Sequence, residues 1–336
     1  LPRAIYKKHR KELIQQLLKD DVTLLRTTNE DPNDIARGTK IEGSSSMKLE
    51  ITNVDKMIDV PETGIAQTLP VSTRKLDTLD LFLRNKTNQN ISLTLKLYRC
   101  GKKHQTMFEQ SEPVATAFSK IKRGNSSWVS FNLNARDIQP GSYWWLLEGN
   151  GKLEIGRSDE EIMGLHKGAQ DEHTGNIARY IGHHDDPQAL WRQDLGTYCM
   201  RTSPALHPFG AGNILNGMNH PELWPNLWIS NPHMNLPQSF TVCLPRPRKI
   251  NQIQLTFHTG LNRTWPHKTT CEECIKDYEI KAYHDGRWIK IVNETDNFLR
   301  LRRHRLNEPI LCEKIRVRAL STHGSPSAQV FEIRMY

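Results

Sequence analysis

The 336-residue sequence has no apolar run approaching the ~18 residues that would cross a bilayer as a helix, so no membrane-spanning segment is expected. It also lacks the motifs of the common catalytic folds. There is no dinucleotide-binding glycine fingerprint after a strand, no phosphate-binding loop, no nucleophile elbow and no paired-histidine zinc helix. Phe209-Gly210-Ala211-Gly212-Asn213 is glycine-rich but has neither a third glycine nor a strand–helix context. The chain by itself is therefore not expected to be an enzyme. Cysteine is too sparse for a disulfide scaffold: six in the whole chain. Only Cys271 and Cys274 stand close together, with no second pair of that spacing to complete a zinc site. His267, four residues before Cys271, offers a third ligand; the other reading is free thiols. A redox role is not expected, since Glu272 and Glu273 would raise a thiol pKa. Leu1-Pro2-Arg3-Ala4 has no initiator Met and no signal-peptide core, which reads as an excised piece of something longer.

What is present is charge and β-periodicity. The net charge is +9. Residues 195–336 carry 18 Lys/Arg against 11 Asp/Glu, so most of the excess lies in the second half. That suits a soluble basic surface or a polyanionic partner. Residues 3–19 read as one amphipathic helix, with Tyr6, Leu13, Ile14, Leu17 and Leu18 on a single stripe. A turn-rich connector follows to residue 37. The period then becomes two. Thr78–Leu83 and Ile91–Leu97 alternate apolar with polar across a polar turn segment and read as a hairpin. Trp128–Leu133 and Ser142–Glu148 add strands, and of the neighbours Trp144 and Trp145 one should face in and one out. A first β-sandwich is placed at 38–165, an irregular linker at 166–204 and a second sandwich at 205–336. In the second, Ile250–Phe257 alternates well, Asp285-Gly286 makes a hairpin turn between Tyr278–Tyr283 and Trp288–Val292, and Trp228 and Trp288 read as core. The fold class expected is all-β: two sandwiches of jelly-roll or discoidin type behind one N-terminal helix.

Chemistry is suggested mainly by aromatics in turn-rich segments. Trp224 and Trp265 lie among Pro, Asn, Arg and His, where an indole can stack on the apolar face of a sugar while polar neighbours bind its hydroxyls. Loops at one end of a sandwich lie together, so the 217–228 and 258–272 loops are expected to form one shallow cleft from Trp224, Asn226, Arg263, Trp265 and His267. The run Arg300, Arg302, Arg303, His304 and Arg305 would suit an acidic or sulfated glycan; nucleic acid is not expected, because no stacking aromatics are interleaved. His183-His184-Asp185-Asp186, with His166 and His173, gives the alternative of a metal-dependent enzyme using residues 166–186, or else a solvated linker.

The stretches Ile275–Tyr278, Asp285–Trp288, Arg302–Arg305, Lys314–Val317 and Ser327–Tyr336, with Asn213–Gly217 and Asn226–Ser230, resemble a discoidin-like (coagulation-factor type C) domain. Nearly the whole chain is similar to the C-terminal region of bacterial FAD-dependent oxidoreductases of glycan-degrading bacteria. Glu12–Asp21 matches the helix behind their flavin domain and Asn29–Arg37 the connector. The resemblance implies FAD in a domain upstream of Leu1 and none in this chain. It further implies a glycan or small sugar as partner and a periplasmic or extracellular location. It also implies a structural Ca²⁺ held by Glu332 and, in the loop opposite, Glu222. The competing reading is an interdomain or subunit-interaction module with no ligand of its own. Gln238–Val242 departs from the discoidin pattern, where an aromatic followed by alternating acidic and apolar residues is usual.

Overall fold

The computed structural model describes residues 33–37, 39–100, 112–149, 152–160, 162, 165, 167–170, 177–179, 196–219, 225–260 and 271–336. The expected helix at 3–19 and the His183–Asp186 run lie outside them. Among the described residues no helix is long and apolar enough to cross a membrane. The architecture is all-β, in two compact units. One comprises Ser45–Ala211 and Pro221–Asn235; the other Leu1–Ser44, Gly212–His220 and Leu236–Tyr336.

The first unit is a sandwich of two antiparallel sheets. One runs in the order Ile177–Arg179, Lys167–Gln170, Ile65–Val71, Gly141–Leu147, Ile91–Arg99, Ala115–Ile121. The other is built on Lys75–Asn85, which pairs with Ser126–Arg136, Leu153–Ser158 and Met200–Ser203. Alternation does its expected work. Leu79, Leu81 and Leu83 are sealed from solvent, as are Leu95 and Leu97, each contributing about 2 kcal/mol by burial. Across the sandwich, Gln67 accepts from the Tyr198 amide at 2.8 Å and Trp145 packs on Tyr198 at 5.7 Å.

Three expectations change here. Residues 78–83 and 91–97 are not a hairpin; they belong to opposite sheets, and the segment between them crosses the sandwich. Strict alternation fixes which face a strand buries but not which strand it pairs with. The crossing is held by Asn85, only 2% exposed. Its Nδ2 donates to the Gln89 and Lys122 carbonyls at 2.7 and 3.1 Å, and its Oδ1 accepts from the Thr87 amide and hydroxyl at 2.8 Å. Asn85→Ala should cost about 2 kcal/mol by stranding those carbonyls; an unchanged urea midpoint would refute this role. Second, residues 167–170, 177–179, 197–198 and 200–203 are strands, where the sequence suggested an irregular linker. Third, Trp144 and Trp145 are both fully buried. Their strand is central and covered on both faces, Trp144 packing with Ala66, Tyr98, Cys100 and Leu146. Trp228 is buried as expected, but in this unit rather than in the second, its Nε1 donating to the Ser45 carbonyl at 2.9 Å.

In the second unit two long strands, Gln238–Phe257 and Leu301–Thr322, pair along their length. The ladder shifts register between Cys243 and Arg248 and again between Ile250 and Gln252. Pro245 and Pro247, which lack an N–H, sit at the first shift rather than ending the strand. One half of the pair carries Ile275–His284, which in turn pairs with Arg287–Glu294; the other half carries Gln329–Met335. The bent pair thus serves two layers. Tyr278 of one layer meets Phe257 of the other at 5.2 Å, and its hydroxyl lies 2.7 Å from His304 Nε2. Burial lowers the His304 pKa and raises that of Tyr278, favouring the neutral form of each.

The expected hairpin turn is present, with Asp285 and Gly286 at φ 48° and 75°, the left-handed pair that a two-residue turn requires. Trp288 is half-buried rather than core, lying between Tyr283 at 5.2 Å and the Arg316 guanidinium at 4.1 Å. Residues before the first unit close this sandwich. Lys40–Glu42 pairs with Thr241–Cys243, and the Ile35 amide donates to the Met335 carbonyl at 2.9 Å. The Met335 amide donates back to Asp34 Oδ1 at 3.0 Å.

Candidate functional site

At one end of the C-terminal sandwich several loop stems converge on Arg300. Its guanidinium donates to the Phe257 carbonyl at 3.2 Å and to the Asn219 carbonyl, and it lies 5.0 Å from the Phe331 ring centroid. The Phe257 amide in turn donates to the Arg300 carbonyl at 2.7 Å. Phe257 ends the strand that leads into the 258–272 loop, and Asn219 lies in the 217–228 loop, so one side chain joins the stems of both. Burial lowers the Arg300 pKa, opposed by the charge of Glu332.

The adjoining turn exposes apolar surface: Phe298 is 62% exposed, and Leu299 beside it is also exposed. The turn is rigid because Asn297 is buried beneath it. Asn297 Nδ2 donates to the Ile275 carbonyl at 2.8 Å, its Oδ1 accepts from the Leu299 amide at 3.1 Å, and its carbonyl lies 2.7 Å from His323 Nε2. An exposed ring on a turn two residues before Arg300 can stack on an apolar ligand face.

Of the residues singled out from the sequence, Trp224, Arg263, Trp265, His267 and Glu222 lie outside the described residues. Asn226 is 5% exposed and falls in the other unit, within Pro221–Asn235. Glu332 is buried and ion-paired with Arg334, Nε to Oε1 2.8 Å. Burial raises its carboxyl pKa, opposed by Arg334 and Arg300. Calcium takes six to eight oxygen ligands, and a carboxylate already held between two guanidinium charges does not suit it. The basic run does not act as one face. Arg300 holds loop stems, Arg302 is paired with Glu294, and Arg305 donates to Gln252 Oε1 at 3.2 Å.

None of the six cysteines is joined in a disulfide. The fold does not group Cys271 with Cys274. Cys271 Sγ lies 2.8 Å from Glu273 Oε2, and His258 completes a group whose ligand atoms are all within 4.8 Å of one another. Cys274 lies outside that group, buried beside Asn297, its thiol pushed up to about 11. Sequence reasoning missed Phe298, His258 and Glu273. Phe298 carries the same signal as the loop tryptophans, an aromatic inside the polar turn Asp296-Asn297. His258 and Glu273 have no local signal, because the fold brings them together across the loop.

No family model matches the chain, and no curated protein matches it. Among solved structures it is similar to the family 32 carbohydrate-binding module of Clostridium perfringens NanJ in complex with galactose. That match has 24% identity and a TM-score of 0.31, covering 38% of this chain and 85% of that one. The family 32 module of Streptococcus pneumoniae EndoD matches at 21% identity and a TM-score of 0.33, covering 38% and 86%. A second family 32 module, of a family 31 glycoside hydrolase bound to GalNAc, matches at 14% identity and a TM-score of 0.34, covering 38% and 88%.

Proposed function

We propose that the C-terminal sandwich is a non-catalytic carbohydrate-binding unit that takes a sugar at the loop end gathered by Arg300. The observation that carries this reading is Phe298. A ring left 62% exposed on a turn whose backbone is pinned from below is costly to solvate and well placed to stack on a pyranose. Arg263, Trp265 and His267 belong to the stretch of sequence between Phe257 and Cys271, and in this proposal they offer further stacking surface and hydroxyl partners. A shallow site of this kind binds at high micromolar to millimolar Kd, about 4–6 kcal/mol.

The full chain on a glycan array, followed by calorimetry with galactose and N-acetylgalactosamine, tests the reading. Phe298→Ala should reduce sugar affinity at least tenfold while changing stability by less than about 0.5 kcal/mol, because the ring is largely solvated. Equal affinity in the variant, or no glycan bound by the parent, would remove the proposal. The resemblance to the region behind a flavin domain supports a finer reading. In it this chain is the accessory part of a secreted FAD-dependent oxidoreductase, holding or positioning its glycan substrate. That finer reading stands on the sequence alone.

A further inference from the structure

We propose that His258, Cys271 and Glu273 form a binding site for a zinc-class divalent ion that clamps the stem of the 258–272 loop. An imidazole, a thiol and a carboxylate with their ligand atoms within 4.8 Å of one another are a mixed nitrogen–sulfur–oxygen set. Thiolate and imidazole together select zinc and cobalt over calcium or magnesium, and three protein ligands leave a fourth, tetrahedral position open. Bonds of the usual length give a tetrahedron with edges of roughly 3.3–3.8 Å, so the group needs only rotamer adjustments to close on an ion.

Both sides of the group are held from outside it. His258 donates its amide to the Gln329 carbonyl at 3.4 Å and packs edge-on to Phe331 at 5.8 Å. Cys271 and Glu273 lie in a turn closed by the Cys274 amide on the Cys271 carbonyl at 3.0 Å. That turn is tied to a second segment through the Ser325 amide on the Glu272 carbonyl at 3.1 Å and the His323 amide on the Cys274 carbonyl at 3.2 Å. Gly324 permits this approach: a Cβ there would lie 3.2 Å from the Glu272 side chain. Ligands fixed by their surroundings lose little freedom on binding an ion. Because His258 and Cys271 stand at the two ends of the loop that carries Arg263, Trp265 and His267, an ion between them would fix the span of that loop.

The test is cobalt titration of the full chain under reducing conditions. The expected result is one equivalent of Co²⁺ bound with a thiolate-to-cobalt charge-transfer band and the intense visible absorption of a tetrahedral site. Zn²⁺ should displace it. Cys271→Ser should abolish the charge-transfer band, and His258→Ala and Glu273→Gln should each weaken affinity at least tenfold. His258 and Glu273 are half-buried, so those two variants keep the test decisive even if Cys271→Ser misfolds. Absence of a thiolate band at saturating cobalt, its persistence in Cys271→Ser, or unchanged affinity in His258→Ala and Glu273→Gln would each overturn the site.

Discussion

Glu332→Ala and Arg334→Ala are each expected to destabilise the C-terminal unit by about 3–5 kcal/mol, the usual cost of leaving one charge of a buried pair without its partner. The two side chains are 6% and 9% exposed and share one face of the last strand, two residues apart. Opposite them Gln254 and Thr256 are also buried, so water has little access to whichever charge remains. Substituting both together, Glu332→Leu with Arg334→Met, should recover most of the loss, since an apolar pair carries no desolvation penalty.

The pH dependence follows from the direction of the Glu332 shift. Its native pKa is raised above 4.5, chiefly by burial, so the folded state holds the proton more tightly than the unfolded chain. The resulting contribution to stability is fully present below the unfolded pKa and is lost as pH rises through the native value. The Glu332→Ala penalty should therefore be larger at the acidic side of that window than at neutral pH. Urea unfolding across pH measures both effects. A penalty below about 1 kcal/mol would show that the pair does not sustain the sheet, and the opposite pH trend would show that burial does not dominate at Glu332.

Arg300→Ala should cost about 2–4 kcal/mol and at least tenfold in sugar affinity. The Phe257 and Asn219 carbonyls would lose a charged donor at once, and the Phe331 ring its cation. Arg300→Lys should restore only part of this, because a single ammonium cannot reach two carbonyls with the spread of a planar guanidinium. Loss of stability without loss of glycan binding would separate the stem from the site. A variant as stable as the parent would remove Arg300 from both.

Sheet faces were easier to read from the sequence than sheet partners. Leu79, Leu81 and Leu83 announce their buried face by alternation alone, and Asp285-Gly286 announces its turn, because both signals are local. The partner of Lys75–Asn85 is decided far along the chain, at 126–136, 153–158 and 200–203, and no local pattern encodes that. Ile250–Phe257 illustrates a second limit. Its polar positions Gln254 and Thr256 look solvent-facing by periodicity yet are buried, because they meet the ion-paired Glu332 and Arg334 on the neighbouring strand. At the candidate site, Phe298 carried a legible local signal, a ring among turn residues, but the tryptophans elsewhere drew the reading instead. The joining of loop stems by Arg300 was hidden inside a run of arginines, where charge drew attention away from geometry.

The closure of the C-terminal sandwich by Lys40–Glu42 and Asp34 has a consequence for the order in which the protein is made. On the ribosome these residues emerge ahead of the other unit, but their partners Thr241–Cys243 and Met335 are synthesised only after it. The interposed unit, complete by Asn235, is free to fold first, as domains generally do during synthesis. The early segment must stay unpaired until then, and the loop it finally closes is long but only modestly costly in entropy. A fragment starting near residue 200 would begin without its first edge strand and without the tie to its last one, leaving Thr241–Cys243 open to pairing with another copy. Expression pieces intended to carry the C-terminal unit therefore need to retain residues 33–44.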